Sequence, residues 1–215
     1  MTNPAPRCPL CFGDRSLAIG AVTRPCFRCP ACDLIHIAPD TYLDAVAEKA
    51  QYDLHENNAE DQAYRAFLSQ LSDPLVDRLG PGATGLDFGC GPGPTLSVML
   101  EELGYTVSLY DPFYAPDNGQ LARTYDFITA TEVAEHLHHP AQEFTQLWGL
   151  LRPGGVLGVM TWMSDDIDDL AGWHYMRDPT HICFYSKKSF HWLAEQLGGT
   201  LSFYGNKVIL LSKPV

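Results

Sequence analysis

Apolar positions follow two alternating periods along the chain. Residues 85–88, 106–110, 126–130 and 156–160 are short hydrophobic runs of strand length. Between them, Leu96, Met99, Leu100 and Leu103 recur at helical spacing up to Gly104. Phe144, Leu147, Leu150 and Leu151 do the same ahead of an Arg152-Pro153-Gly154-Gly155 turn. Strand and helix therefore alternate, which predicts an α/β fold: a doubly wound, Rossmann-like sheet. A helix over 187–197 follows. Strands over 200–204 and 207–212 then flank Gly205-Asn206, a hairpin signal. Upstream, residues 41–79 read as helical. Tyr64, Phe67, Leu68 and Leu71 share one face, and Leu75, Val76 and Leu79 belong to another short helix, with the boundary at Asp73-Pro74. The alternation breaks once: residues 112–125 leave room for no more than a single turn between two strands.

The first strand of the series runs into Asp87-Phe88-Gly89-Cys90-Gly91-Pro92-Gly93. Glycines at alternate positions let the backbone turn sharply and approach a ligand with no Cβ in the way. The dinucleotide fingerprint does not fit, because its third glycine falls on Pro94. The pattern Asp-x-Gly-x-Gly-x-Gly instead resembles motif I of the class I S-adenosylmethionine (SAM) methyltransferases. The next strand ends at Asp111, 20 residues after Gly91, where a carboxylate is placed to hold a ribose. "EVAEHL" at 132–137 and "LLRPGG" at 150–155 extend the resemblance, in particular to methyltransferases of the ubiquinone-biosynthesis type, over roughly residues 80–212. The resemblance implies a seven-stranded sheet with an antiparallel C-terminal hairpin. It also implies a cofactor site framed by Asp87, Gly89, Gly91, Gly93, Asp111, Thr131 and Glu132. The short 112–125 connection departs from that pattern where adenine contacts are expected.

Glu132, Glu135 and His136 sit at i, i+3 and i+4, so a helix starting after residue 130 places them on one face at the carboxyl end of a strand. The late aromatic-rich loop over 162–185 adds Asp178 and His181. Trp162, Trp173, Tyr175 and Tyr185 in that loop read equally as pocket lining or as core. The spacing resembles the metal site of small-RNA 2′-O-methyltransferases and of metal-assisted quinone O-methyltransferases. It implies Glu132, Glu135, His136 and His181 as ligands of a second divalent cation that would activate an acceptor hydroxyl. Without a metal, His181 or His136 serves as general base with Asp178 orienting it. His138 and His139 read as surface histidines, and Asp165, Asp166, Asp168 and Asp169 as a solvated loop. Residues 51–58 read as a polar connector or as a cap over the cofactor, with Tyr52 or His55 touching SAM.

Seven cysteines change the picture at the other end. Cys8-x-x-Cys11 and Cys29-x-x-Cys32, with 17 residues between, are two knuckles that together offer four thiolates for a structural Zn²⁺. Cys26 is left over as a strand cysteine. The expected organisation is a zinc ribbon over 1–38, a helical connector or cofactor lid over 39–80, and a methyltransferase domain over 81–215. A net charge of −12 argues against an electrostatic grip on nucleic acid or an anionic membrane. The first seven residues carry no apolar signal region, and no run approaches the ~20 apolar residues of a membrane span. The expectation is a cytoplasmic enzyme acting on a small hydroxylated or aromatic acceptor, most simply at oxygen. RNA methylation with the ribbon as reader, and a non-catalytic SAM- or partner-binding module, are the rival readings.

Overall fold

Three of the α-helices begin where a side chain satisfies their first amides. The computed structural model describes residues 5–20, 22, 24–54 and 57–215. After three short strands, β1 (Leu17–Ile19), β2 (Cys26–Arg28) and β3 (Ile35–Ile37), the chain enters α1 (Ala45–Tyr52) and α2 (Gln62–Val76). The Asp44 carboxylate caps α1 by accepting from the Val46 and Ala47 amides, and Asp61 caps α2 in the same way. Asp73-Pro74 is not a boundary, because Pro74 is accommodated inside α2 close to its C-terminal end. His55, expected at the cofactor, lies outside the described residues.

The alternating part follows as β4 (Thr84–Phe88), α3 (Thr95–Glu102), β5 (Thr106–Tyr110), β6 (Tyr125–Thr131), α4 (Pro140–Leu150) and β7 (Leu151–Met160). It closes with β8 (Cys183–Phe184), α5 (Lys187–Leu197), β9 (Thr200–Tyr204) and β10 (Val208–Ser212). The main sheet has the order β5-β4-β6-β7-β10-β9, with β5, β4, β6 and β7 parallel and the β9–β10 hairpin antiparallel. It has six strands rather than seven. The missing strand is the one a full crossover would have supplied between β5 and β6, where the chain makes only a 3-10 turn over Asn118–Ala122. The Pro-Gly-Gly turn is absorbed into β7 as an irregularity: Leu151 pairs with Tyr125 and Val156 with Phe127, and Gly154 takes φ 78°.

The N-terminal strands do not stand apart. Their sheet runs β1-β2-β3-β8, so the late loop supplies its fourth strand. One buried cluster joins Cys8, Leu34 and Ile35 to Phe184, Tyr185 and Phe190 and continues to Leu86 and Ile128 under the main sheet. Of the loop aromatics, Trp173, Tyr175 and Tyr185 are buried, and Tyr175 also lines the cavity.

Candidate active site

The carboxyl ends of β4, β5 and β6 open into a cavity of about 780 Å³. This is where open α/β sheets present ligands. One half is the glycine turn. Gly91 adopts φ 64°, and a Cβ built there would meet nothing within 4 Å, so the turn faces open space. The Asp111 carboxylate ties the turn down. Its Oδ2 accepts from the Gly91 amide at 3.1 Å, and its Oδ1 accepts from Phe113 and Tyr114 at 2.7 and 3.0 Å. Oδ2 therefore keeps one acceptor position for a hydroxyl. Asp87 is buried beneath the turn and accepts from Thr129 Oγ1 at 2.7 Å. Burial pushes its carboxyl up to about 6, against the pull of that hydrogen bond. Thr131 Oγ1 is buried and has no hydrogen-bond partner within the protein, and its residue lines the cavity. An orphaned hydroxyl beside an open glycine turn fits the amino-acid end of SAM.

Past the short β5–β6 connection, Tyr110, Leu121, Glu143 and Gln146 line the same space. Glu143 Oε2 is buried without a partner, and burial raises this carboxyl to about 7. No sequence motif marks Glu143 and Gln146, which come from the polar side of α4. They stand where a longer crossover would have covered the cofactor.

The other half is lined by His136 and His181, with the buried Glu135 behind them. One ligand atom from each lies within 4.8 Å of the others. The expected helix after β6 does not form. Glu132 turns the chain at φ 53°, and Ala134–His136 make a 3-10 turn. Glu132 thereby falls outside the converging set, although it lines the cavity. Burial, with the Glu135 charge added, pushes its carboxyl up to about 9. Glu135 is fully buried. Its Oε1 accepts a short hydrogen bond from the Tyr175 hydroxyl and its Oε2 accepts from Thr161 Oγ1 at 2.9 Å. His136 Nδ1 donates to the Thr180 carbonyl at 3.2 Å, and His181 Nδ1 to the Tyr175 carbonyl at 2.8 Å. A carbonyl can only accept, so these bonds fix the Nδ1–H tautomer and give both Nε2 atoms a lone pair. His136 Nε2 lies 4.0 Å from Glu135 Oε1. Burial lowers the His181 pKa, against the pull of Glu135 and Asp178.

Asp178 lines the cavity but does not orient His181 by a hydrogen bond. Its Oδ2 is 3.8 Å from His181 Nε2, and its Oδ1 accepts from Thr180. Tyr52 packs edge-on against His136 at 5.2 Å between ring centroids and lines the cavity. His138 is half-buried at the rim, 3.7 Å from Glu48, rather than on the surface; His139 is exposed. Asp165, Asp166, Asp168 and Asp169 are exposed. Nothing in the sequence ties Tyr175 or Thr161 to Glu135, because neither is near it in the chain.

The four knuckle cysteines form a second cluster, with ligand atoms within 4.8 Å of one another. Cys8 and Cys32 sulfurs are 3.5 Å apart, and Cys11 and Cys29 sulfurs 3.3 Å. A tetrahedral Zn²⁺ with bonds of ~2.3 Å sets its sulfurs roughly 3.8 Å apart, so the cluster is near metal-binding size. Both knuckles close alike: Phe12 and Asp33 take positive φ, and Cys8 and Cys29 amides donate to Gly13 and Leu34 carbonyls. Cys26 lies outside the cluster, in β2.

A family profile described as "Methyltransferase domain" matches residues 32–201. The sterol 24-C-methyltransferase of Schizosaccharomyces pombe is 27% identical over 135 residues, a stretch covering 50% of this chain and 36% of that protein. The chain thus spans well under half the length of that relative. Among solved structures, 1,6-didemethyltoxoflavin-N1-methyltransferase of Burkholderia thailandensis, bound to its substrate and S-adenosylhomocysteine, superposes with a TM-score of 0.55 at 18% identity. That match covers 92% of this chain and 98% of the other. An O-methyltransferase family protein from the same organism gives 0.51 at 18% identity, over 78% of this chain and 62% of the other.

Proposed function

The chain belongs to the methyltransferase-domain family; on that premise we propose that it is a SAM-dependent methyltransferase and that it methylates an oxygen of a small, uncharged hydroxylated or aromatic acceptor. A divalent cation held by Glu135, His136 and His181 assists, and a structural Zn²⁺ sits on Cys8, Cys11, Cys29 and Cys32. The observation that carries the reading is that the glycine turn faces the same cavity as His136 and His181, with Glu135 completing their cluster from the buried side.

SAM, when bound, supplies an electrophilic methyl group on its sulfonium. The protein's part is positioning. Gly89, Gly91 and Gly93 let the backbone close on the methionine moiety, with Thr131 Oγ1 as the added polar contact. Asp111 keeps the turn in place and offers Oδ2 to the ribose. Two imidazoles and a carboxylate suit Mn²⁺, Fe²⁺ or Zn²⁺ better than an all-oxygen ion site would. Such a cation lowers the pKa of a bound hydroxyl. His181, its pKa lowered by burial, is placed to take the acceptor proton with or without the ion. Asp178 and Glu132 line the acceptor side.

Charge narrows the acceptor. Glu48, Asp111, Glu132, Glu143 and Asp178 line the cavity, and among the described residues no Lys or Arg does. A phosphate or carboxylate held away from the cation would meet no Lys or Arg of the lining, which disfavours nucleotides and RNA. The purified chain, given SAM labelled in its methyl group, should transfer label to a catechol probe in a Mn²⁺-dependent manner. Elemental analysis should find zinc plus a second divalent ion that is lost in His181→Ala. Label appearing on RNA, or a SAM-binding chain inert with hydroxylated probes of every kind, overturns the acceptor assignment. One zinc and no response to Mn²⁺ removes the assisting cation.

A further inference from the structure

Arg24 lies outside both functional clusters, yet it reaches the loop that ends at His181. Its Nη1 donates to the Pro179 carbonyl at 2.9 Å, and its Nη2 donates to Met176 at 2.9 Å and Asp178 at 2.8 Å. Three carbonyls more than 150 residues away in sequence converge on one guanidinium. A planar, multi-donor fork holds such a set in a fixed geometry, more firmly than an ammonium on a flexible stem.

The gripped stretch is bracketed by the two carbonyls that orient the histidine rings. Tyr175, just before it, accepts from His181 Nδ1, and Thr180, just after it, accepts from His136 Nδ1. We propose that Arg24 is a positioning residue for the acceptor-side centre: it fixes the 175–180 backbone, and that backbone sets the tautomer and direction of both imidazoles. Arg24 is itself anchored in the N-terminal sheet. Pro25, its neighbour, accepts from the Ala38 amide, and Ile37 of β3 donates to Ile182. The same sheet holds the other side of the centre through β8. Ile182 donates to the Glu135 carbonyl, and Tyr185 Oη to Ala134 at 3.0 Å. The cysteine-rich sheet thus acts as a jig for the catalytic loop rather than as a separate reader of substrate.

This rests on the reading of Glu135, His136 and His181 as a cation-holding centre. The test compares wild type, Arg24→Ala and Arg24→Lys by Mn²⁺ titration followed by electron paramagnetic resonance, SAM calorimetry, and amide hydrogen exchange. Arg24→Ala should lose roughly 10- to 100-fold in Mn²⁺ affinity, the usual effect of removing an outer-shell partner. Its SAM affinity should be unchanged, and its faster exchange should be confined to residues 174–184. Arg24→Lys, and Arg24→Ala with added guanidinium ion, should recover part of the Mn²⁺ affinity. Wild-type exchange over 174–184 in Arg24→Ala overturns the proposal, as does loss of protection spread evenly over the chain. Should wild type take up no Mn²⁺, the cation reading fails and the exchange comparison alone decides the role of Arg24. Should Arg24→Ala not fold, the exchange comparison is made on Arg24→Lys, where unchanged protection is the overturning result.

Discussion

The rings of His136 and His181 meet edge to face, with centroids 4.7 Å apart. One comes from the turn after β6 and the other from a loop more than forty residues later. Each points its Nδ1 at a backbone carbonyl, so neither relies on the other to hold its tautomer. A backbone carbonyl thus helps to hold each ring in place.

Glu135 depends on Tyr175 in a different way. Tyr175→Phe removes the donor to Glu135 Oε1 while keeping the ring that packs on His181 at 4.1 Å between centroids. The expected outcome is a second-cation affinity lower by roughly 10- to 100-fold, with the fold retained. Mn²⁺ titration beside circular dichroism measures both.

Two glycines of the cofactor turn should fail differently. Gly91→Ala forces a side chain into φ 64°, a strain of about 1–2 kcal/mol, and points a methyl group into open cavity. SAM affinity should fall more than thermal stability. Gly93→Ala places its Cβ 2.4 Å from the Asn57 carbonyl oxygen, so the connector itself must move. There the melting temperature should drop as well. Calorimetry with SAM and a thermal melt on each variant separate the two.

Asp87 sets a pH dependence of stability. Its folded pKa of about 6 lies above the ordinary 3.8, so the folded state binds the proton more tightly. Stability from this group is fully present below pH ~4 and is lost as pH rises through ~6. The two-unit rise corresponds to on the order of 3 kcal/mol. Asp87→Asn should lack that loss and exceed wild type at pH 8, while binding SAM less well. Urea midpoints across pH 4–8 give the result; a wild-type curve that rises through this window in step with Asp87→Asn sinks the assignment.

Cys32→Ser and Cys26→Ser form a matched pair. Cys32 belongs to the four-sulfur cluster and Cys26, equally buried, does not. Cys32→Ser should lose zinc and melt at a markedly lower temperature. Cys26→Ser should keep its zinc, measured by elemental analysis.

Local patterns were legible where chemistry and turn geometry coincide in a few consecutive residues. The strand into Asp87-x-Gly-x-Gly-x-Gly, the two Cys-x-x-Cys knuckles and the closing hairpin all declare themselves that way. The 187–197 helix begins at a Ser186 cap and ends at Gly198 in the left-handed region, both visible as residue types. What stayed hidden depends on contacts distant in sequence. Glu132 was expected on a helical face with Glu135, but its amide donates to Met160 of the neighbouring strand at 2.7 Å and its backbone turns left-handed. Cys183–Phe184 is too short to show a strand period, and it becomes one only by pairing with Ile35 and His36. Arg24 looked like any loop arginine until its three carbonyl acceptors were assembled.

The β3–β8 pairing also bears on how the chain is made. Residues 8–32 can gather their four sulfurs early, as soon as they leave the ribosome. Ile35 and Ile37, fully buried in the finished protein, then wait with an open strand edge for Cys183 and Phe184. Synthesis at roughly 5–20 residues per second makes that wait many seconds long. The part of the molecule first able to take up its metal is therefore among the last to be completed, and a nascent chain stalled short of residue 184 displays a sticky, half-built sheet.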